Sequence, residues 1–257
     1  MMGNSKVYEK ISIWLIVAFA IIQLIACLLT KELPYGEWDD YLYTTASLLN
    51  DQNMTISSDD IHYAHDLFPE AVKWGDFTGS TFHTSSGDIL PWYFGTYSAA
   101  CIPMVFVLKL LRLPAIHAFA LTNVLFYLLA LYCVYKKLNL SAKTKLGLLL
   151  LLMLNPAVFY IIWISAEVFI FSMIILAMIQ WTNQKYWQSA VLISIASSLN
   201  PTILALAPIL TIDYAYWLYQ NGEDKTARGF IHQIKKNYKS ILIYCISSSI
   251  KFILASK

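Results

Sequence analysis

The sequence is poor in charge, and this scarcity limits the class of protein it can encode. Asp, Glu, Lys and Arg make up 13% of the 257 residues, and hydrophobic residues make up 58%. A soluble domain has about 25% charged and roughly 45–50% apolar residues. The chain also lacks a P-loop, a GxGxxG fingerprint and a nucleophile elbow. These absences argue against nucleotide-driven transport and hydrolase chemistry, and the composition predicts an integral membrane protein.

Cysteine is scarce as well, and no CxxC motif is present. Each of Cys27, Cys101, Cys133 and Cys245 lies in an apolar stretch rather than in a polar loop. Cysteines in such positions behave as small buried hydrophobes. The sequence therefore predicts no disulfide framework, and it leaves the redox compartment open.

Long apolar segments account for most of the chain. They cover approximately 11–29, 89–110, 115–135, 146–164, 166–181, 187–199, 201–219 and 240–255. The first of them follows Lys6 and Lys10, is about long enough to span hydrocarbon, and has no small-residue cleavage site. We interpret this segment as a retained signal anchor.

The charged residues are distributed unevenly between the loops. The N-terminus and the loops 136–145 and 220–239 are basic, whereas 30–88 holds most of the acidic residues. Basic loops face the cytoplasm, and all three basic regions can do so only if 89–110 does not cross. We therefore predict that 89–110 is an interfacial or re-entrant helix on the outer face, with an ordinary transmembrane helix as the alternative. This topology predicts an all-α polytopic membrane protein with about seven transmembrane helices and a large outer loop over 30–114.

Acidic and polar motifs recur in a fixed order along these segments. The first is DDYLYTTASLLND at 39–51, which begins with the pair Asp39-Asp40 just after the first apolar segment. The second is FHTSSGDILPWY at 82–93. The third set is LNP at 154–156, SAE at 165–167 and SLNP at 198–201. Carboxylates beside a membrane face are costly to place there, so the acidic pair marks a functional site.

This order of motifs resembles the GT-C superfamily of polytopic glycosyltransferases. The resembling branch is the dolichyl-phosphate-mannose-protein mannosyltransferase-like and aminoarabinose transferase-like one, and the likeness covers nearly the whole chain as an order of segments. Two departures stand out: the second acid of the pair is often Glu in the family and is Asp40 here, and the chain has neither further helices nor a soluble C-terminal domain. The likeness implies one GT-C-like module over 1–257. The apolar segment that ends at Lys257 leaves open whether this is a minimal protein or a truncated one.

The resemblance implies an inverting transferase that uses a polyprenyl-phosphate-linked sugar. The acceptor would be a lipid, a glycan or a protein, with no nucleic-acid partner. Asp39 would be the general base and Asp40 its neighbour, because the family places its catalytic acid on the outer loop after the first helix. The other interpretation of the pair is a helix N-terminal charge pair, since acids favour a first turn. We expect a multi-pass protein of a bacterial cell membrane with its site on the non-cytoplasmic side.

Further charged residues are candidates for substrate contacts. Glu167 lies at a hairpin tip between apolar helices, where it holds a sugar hydroxyl or is a solvated turn residue. Lys109 and Arg112 either pair with the donor phosphate or snorkel to the interface. His83 is a weaker candidate for substrate binding.

No cofactor is required by these residues, although some relatives of this kind use a divalent ion. His62 and His65 share one face of a predicted helix flanked by acids, so they are weak candidates for metal ligands. Hard divalent ions prefer oxygen ligands, which disfavours this histidine pair.

Two other classes of function fit parts of the pattern. One is a non-enzymatic polytopic membrane protein such as a transporter or a flippase subunit. A transporter places ionisable groups at mid-membrane and often repeats its halves, whereas the ionisable residues of this chain cluster in one outer loop. The other alternative is an inactive, truncated relative of the transferases.

Overall fold

The computed structural model describes residues 2–29, 38–74, 82–85 and 87–221. The chain is mostly helical, as predicted. Its helices are α1 (Met2–Leu29), α2 (Trp38–Asn50), α3 (Ser58–Leu67), α4 (Thr96–Leu111), α5 (Ala118–Lys137), α6 (Ala142–Met153), α7 (Glu167–Thr182), α8 (Tyr186–Leu199) and α9 (Leu206–Asn221). Two short strands, β1 (Phe82–His83) and β2 (Ile89–Leu90), pair antiparallel. The predicted segment 240–255, the basic loop 220–239 apart from its first two residues, and Cys245 lie outside the described residues.

Two helices of the described part are long and apolar enough to cross a membrane. They are Ser5–Leu29 within α1 and Ala115–Lys137, which is α5 with the short 3-10 helix before it. α1 exposes large apolar side chains such as Trp14 and Ile22, at 70% and 61%. It packs on α5 and α6, with the Phe19 ring 5.9 Å from that of Tyr127. An apolar helix exposed in this way suits a lipid solvent.

The apolar segment 146–164 is not one helix, contrary to the prediction. α6 ends at Met153, and a 3-10 helix over Pro156–Tyr160 follows. Asn155 caps the start of this 3-10 helix, since its Oδ1 accepts the Ala157 N–H at 2.9 Å. Pro156 supplies no N–H with which α6 could continue. A similar Asn-Pro cap at Asn200-Pro201 confirms the predicted boundary after 187–199, since α8 ends at Leu199. The segment 201–219 itself is divided into the 3-10 helix Pro201–Ala205 and α9, contrary to the prediction.

The acidic loop after α1 folds into α2, α3, the β1–β2 hairpin and α4. α2 packs against both α3 and α4, and Ile56 joins the hairpin through a bridge to Ile89. Gly95 precedes α4 at a close approach to α2, since a Cβ there would lie 3.2 Å from Thr44 Cγ2. These contacts make the loop a packed structure rather than a simple connection.

The predicted helix 89–110 begins later than the hydropathy indicates. Ile89 and Leu90 are strand residues, and α4 begins only at Thr96, after Pro91 and Gly95. Its 16 residues make it an apolar helix shorter than the two candidate spans. Its interfacial position stays a prediction.

The chain divides into two compact units, Met1–Ser172 and Met173–Lys257. The first unit contains α1 to α6 and the start of α7. In the second unit, α8 packs on the 3-10 helix Pro201–Ala205 and on α9. The Trp181 indole N–H donates to Asp213 Oδ2 at 2.8 Å, which links α7 to α9 inside that unit. The single module inferred from the resemblance stays a prediction.

α3 is held by a capping box that the sequence pattern did not reveal. Asp60 is fully buried, and its Oδ2 accepts the Ser57 N–H at 2.9 Å and the Ser57 hydroxyl at 2.8 Å. The Asn50 amide at the end of α2 donates to the other oxygen, Oδ1, at 3.0 Å. Asp60 therefore joins α2 to α3 in addition to capping a helix.

We predict that Asp60→Ala lowers the free energy of unfolding by about 1–3 kcal/mol, because it leaves buried donors without their acceptor. Denaturant unfolding of the purified protein measures this change. Asp59→Ala is the matched control, since Asp59 is exposed on the same turn, and we expect a change within about 0.5 kcal/mol. Equal effects of the two substitutions would contradict the structural role of Asp60.

Candidate functional site

The acidic pair lies in the first turn of α2 and is almost completely buried. Asp39 is 4% exposed and Asp40 is 1% exposed. The Asp40 backbone N–H donates to Asp39 Oδ1 at 3.1 Å. The start of a helix carries partial positive charge, which stabilises carboxylates placed there. Burial of two adjacent carboxylates still opposes folding strongly, so other contacts must hold them.

Asp40 connects the start of α2 to the segment that leads into α4. Its Oδ2 accepts the backbone N–H of Trp92 at 3.0 Å. Nearby, the Ser98 hydroxyl donates to the carbonyl of Tyr41 at 2.9 Å. These two bonds hold the starts of α2 and α4 together, and Asp40 is therefore tied into the packing between the two helices.

Aromatic rings form a wall beside the acidic pair. Tyr41 stacks on Tyr93 with ring centroids 5.4 Å apart and meets Tyr97 edge-on at 5.2 Å. Tyr97 in turn contacts Phe169 at the start of α7, at 5.6 Å. The Tyr97 hydroxyl donates to the carbonyl of Phe119 at 3.1 Å. The starts of α2, α4, α5 and α7 therefore converge at one end of the first unit.

Tyr97 is fully buried and remains a neutral hydrogen-bond donor. Burial raises the pKa of its phenol well above the usual value, and Cys101, Tyr41 and Glu167 add to the rise. α4 lies outside the two candidate membrane spans. Glu167 lies two residues before Phe169, whose ring contacts Tyr97.

Glu167 is the first residue of α7, and its side chain is exposed. A carboxylate in this place is stabilised by the start of the helix, which accounts for an acid between apolar segments. The structure therefore brings Glu167 to the same end of the unit as Asp39 and Asp40.

Asn123 fixes the loop before α7, and the sequence interpretation missed it. The side chain is fully buried. Its amide N–H groups lie within donating distance of three carbonyls, those of Ser165 at 3.1 Å and of Ile161 and Trp163 at 3.5 Å each. The available signal was a lone amide in the apolar run 115–135, which is costly unless it has partners.

Lys109 and Arg112 are not brought to the acidic pair. They lie at the far end of α4, where Lys109 is about 18 Å along the helix from Tyr97. Together with Asp66 and Glu70 they line an open cavity of about 370 Å³. The cavity thus contains both acidic and basic side chains. The role of Lys109 and Arg112 in binding a donor phosphate stays a prediction.

His62 and His65 lie one turn apart on α3, as predicted, whereas His83 lies on β1. His62 is exposed on α3, and His65 Nε2 lies 3.1 Å from the Tyr43 hydroxyl on α2. His83 is exposed in β1, with Nδ1 3.3 Å from the Gly87 carbonyl. Among the described residues, no three His, Cys, Asp or Glu side chains are grouped to hold a metal ion.

The side chains of Cys27, Cys101 and Cys133 are buried, which confirms their prediction as small buried hydrophobes. The chain has no match among protein-family models, curated proteins or solved structures.

We predict that Asn123→Ala loosens the loop between α6 and α7, because three carbonyls lose their donor. Hydrogen exchange of the amides over 161–166 should accelerate, while that of α3 stays unchanged. The loss of a buried hydrogen-bonding group costs about 1–3 kcal/mol, equivalent to roughly 5- to 150-fold faster exchange in this loop.

Asn139→Ala is the matched control for this measurement, since Asn139 is exposed beyond the opposite end of α5. Equal protection of 161–166 in the two variants would contradict the role assigned to Asn123.

Proposed function

We propose that the chain is a membrane glycosyltransferase that moves a sugar from a polyprenyl-phosphate-linked donor to a lipid, glycan or protein acceptor. The observation that carries this proposal is the buried pair Asp39-Asp40 where the starts of four helices converge. A pair of carboxylates at such a place is typical of acid–base chemistry, because burial and neighbouring charge adapt carboxylates to proton transfer.

Asp39 accepts the proton of the acceptor hydroxyl. The freed oxygen attacks the anomeric carbon from the face opposite the phosphate, the bond from that carbon to the phosphate oxygen breaks, and polyprenyl phosphate leaves. A single displacement of this kind inverts the anomeric configuration. Asp40 holds the start of α2 against Trp92, and Glu167 is placed to accept a hydrogen bond from a sugar hydroxyl.

Access to Asp39 requires movement of the residues that cover it. A carboxylate that is 4% exposed cannot contact a substrate hydroxyl in the conformation described. Donor or acceptor binding must therefore be preceded by an opening step that uncovers Asp39, of the kind that controls access to many enzyme sites.

The proposed membrane placement puts the acidic pair on the outer face. The beginning of α1, the end of α5 and the beginning of α6 line one cavity at the basic end of the first unit. The acidic loop follows the opposite end of α1. This separation of charge supports the positive-inside orientation. We propose with it a multi-pass protein of a bacterial cell membrane with about seven transmembrane helices, of which Ser5–Leu29 and Ala115–Lys137 are the two long enough to span in the described part.

The alternatives are a non-enzymatic membrane protein, such as a transporter or flippase subunit, and an inactive relative of the transferases. Transport would require substrate movement across the bilayer without cleavage of a sugar–phosphate bond. Release of polyprenyl phosphate from the donor therefore separates the enzyme from both alternatives.

We predict that Asp39→Asn lowers the rate of sugar transfer by roughly 10²–10⁴-fold, the usual contribution of a general base. Asparagine keeps the size of the side chain and an oxygen that can accept the Asp40 N–H, so the fold should survive. The measurement is transfer from a radiolabelled lipid-linked sugar by purified protein. Asp51→Asn is the control, since Asp51 is an exposed acid just beyond the end of α2.

Asp40→Asn is the third variant in this assay, and we expect a smaller loss than for Asp39→Asn. Near-normal rates for both Asp39→Asn and Asp40→Asn would overturn the assignment of the pair. A loss confined to Asp40→Asn would transfer the role of base to Asp40.

We predict opposite sides of the membrane for Ser58 and Lys143. In a Cys245→Ser background, Ser58→Cys should react with a membrane-impermeant thiol reagent in intact cells, and Lys143→Cys should react only after the membrane is opened. Both positions are exposed, and the three other cysteines are buried. The reverse labelling pattern would contradict the orientation and the outer-face site.

A further inference from the structure

A second cavity lies at the basic end of the first unit, away from the acidic pair. It measures about 400 Å³ and is formed where the start of α1 meets the end of α5 and the start of α6. The side chains that line it are mostly polar. They include Glu9 on α1, Lys136 on α5, and Ser141 and Lys145 at the start of α6.

The charges of this cavity favour an anion. Lys136 and Lys145 contribute two ammonium groups, and Glu9 is the one acid among the described residues that line it. The Glu9 carboxylate accepts the Ser5 hydroxyl at 3.4 Å. The Lys136 ammonium lies 5.1 Å from the centre of the Tyr135 ring, which orients it while leaving its N–H groups for a ligand.

The serine hydroxyls around the cavity already have hydrogen-bond partners. Ser12 is 1% exposed and donates to the Tyr8 carbonyl at 2.9 Å, and Ser141 accepts the Thr144 N–H at 3.2 Å. The two lysines therefore supply the charged donors for an incoming anion. The start of α6 adds a favourable field, since helix N-termini attract negative charge.

The position of the cavity selects the kind of anion. Glu9 on α1 lies about 30 Å along the helix from Leu29, which is about the thickness of the hydrocarbon layer. With the acidic loop at the outer face, the cavity lies at the level of the phosphates of the inner leaflet. Anionic lipids are concentrated in that leaflet and attract lysines beside membrane spans.

We propose that this cavity binds a phosphate group at the cytoplasmic face, and that an anionic phospholipid supplies it. Lys136 and Lys145 pair with the phosphate oxygens, and Leu140 faces the first carbons of the lipid. The inference rests on the proposed membrane placement but not on sugar transfer, and its test involves no turnover.

The test compares two charge-matched double variants of the full chain. Lys136→Gln with Lys145→Gln removes the lysines that line the cavity. Lys137→Gln with Lys143→Gln removes the same charge from exposed lysines of the same region that do not line it. Native mass spectrometry of the detergent-solubilised proteins measures retained phosphatidylglycerol, with phosphatidylcholine as the zwitterionic lipid. Thermal unfolding without added lipid confirms that both variants are folded.

We expect phosphatidylglycerol affinity to fall about 30-fold in the first double variant and no more than about threefold in the second, where salt screens the more distant charges. Equal losses in the two variants would show diffuse attraction and overturn the site. An unchanged affinity in the first variant, or equal retention of phosphatidylcholine by the wild type, would overturn it as well.

Glycerol phosphate distinguishes the source of the phosphate. If the phospholipid is the ligand, glycerol phosphate should displace phosphatidylglycerol only when its concentration is far above that of the lipid. Displacement at equal concentration would keep the phosphate site and overturn the lipid as its source.

Discussion

The hydrogen bond from the Trp92 N–H to Asp40 Oδ2, at 3.0 Å, is the contact on which the arrangement of the candidate site depends. A buried carboxylate is expensive unless donors surround it, so this bond and the position in the first turn of α2 compensate part of that cost. The bond also joins segments that are distant in sequence. The starts of α2 and α4 are thereby held together, and the ring of Tyr41 packs between Tyr93 and Tyr97.

A second polar anchor works at the same end of the unit. Asn123 lies inside an apolar helix and holds three carbonyls of the loop that leads into α7. The loop in turn sets the place of Glu167. Two buried polar side chains, Asp40 and Asn123, thus position the start of α2 and the start of α7. The helices themselves are held by the apolar packing of α1 on α5 and α6.

The sequence predicted the parts of this structure that depend on local pattern. The run 115–135 corresponds to α5 and the short 3-10 helix before it. The acidic pair lies in the first turn of α2, where the positive end of the helix stabilises carboxylates. The break at Asn200-Pro201 was predicted, since α8 ends at Leu199, where the segment 187–199 was expected to end. The break at Asn155-Pro156 was readable from proline chemistry, but the uniform hydropathy of 146–164 concealed it. The burial of Asp39 was not predictable, because its cover comes from tertiary contacts. The separation of Lys109 from the pair follows from the direction of α4, which hydropathy does not encode.

The position of a bound polyprenyl phosphate tests the central claim most directly, because this molecule is the product common to every sugar donor of the proposed class. A photoactivatable polyprenyl phosphate, cross-linked to the purified protein with and without excess unlabelled lipid, maps that position by peptide mass spectrometry. We expect competable labelling of the starts of α2, α4 and α7, around Asp39, Tyr93 and Glu167. Labelling confined to the lipid-facing side chains of α1, or labelling that unlabelled lipid does not displace, would contradict a substrate site at the acidic pair.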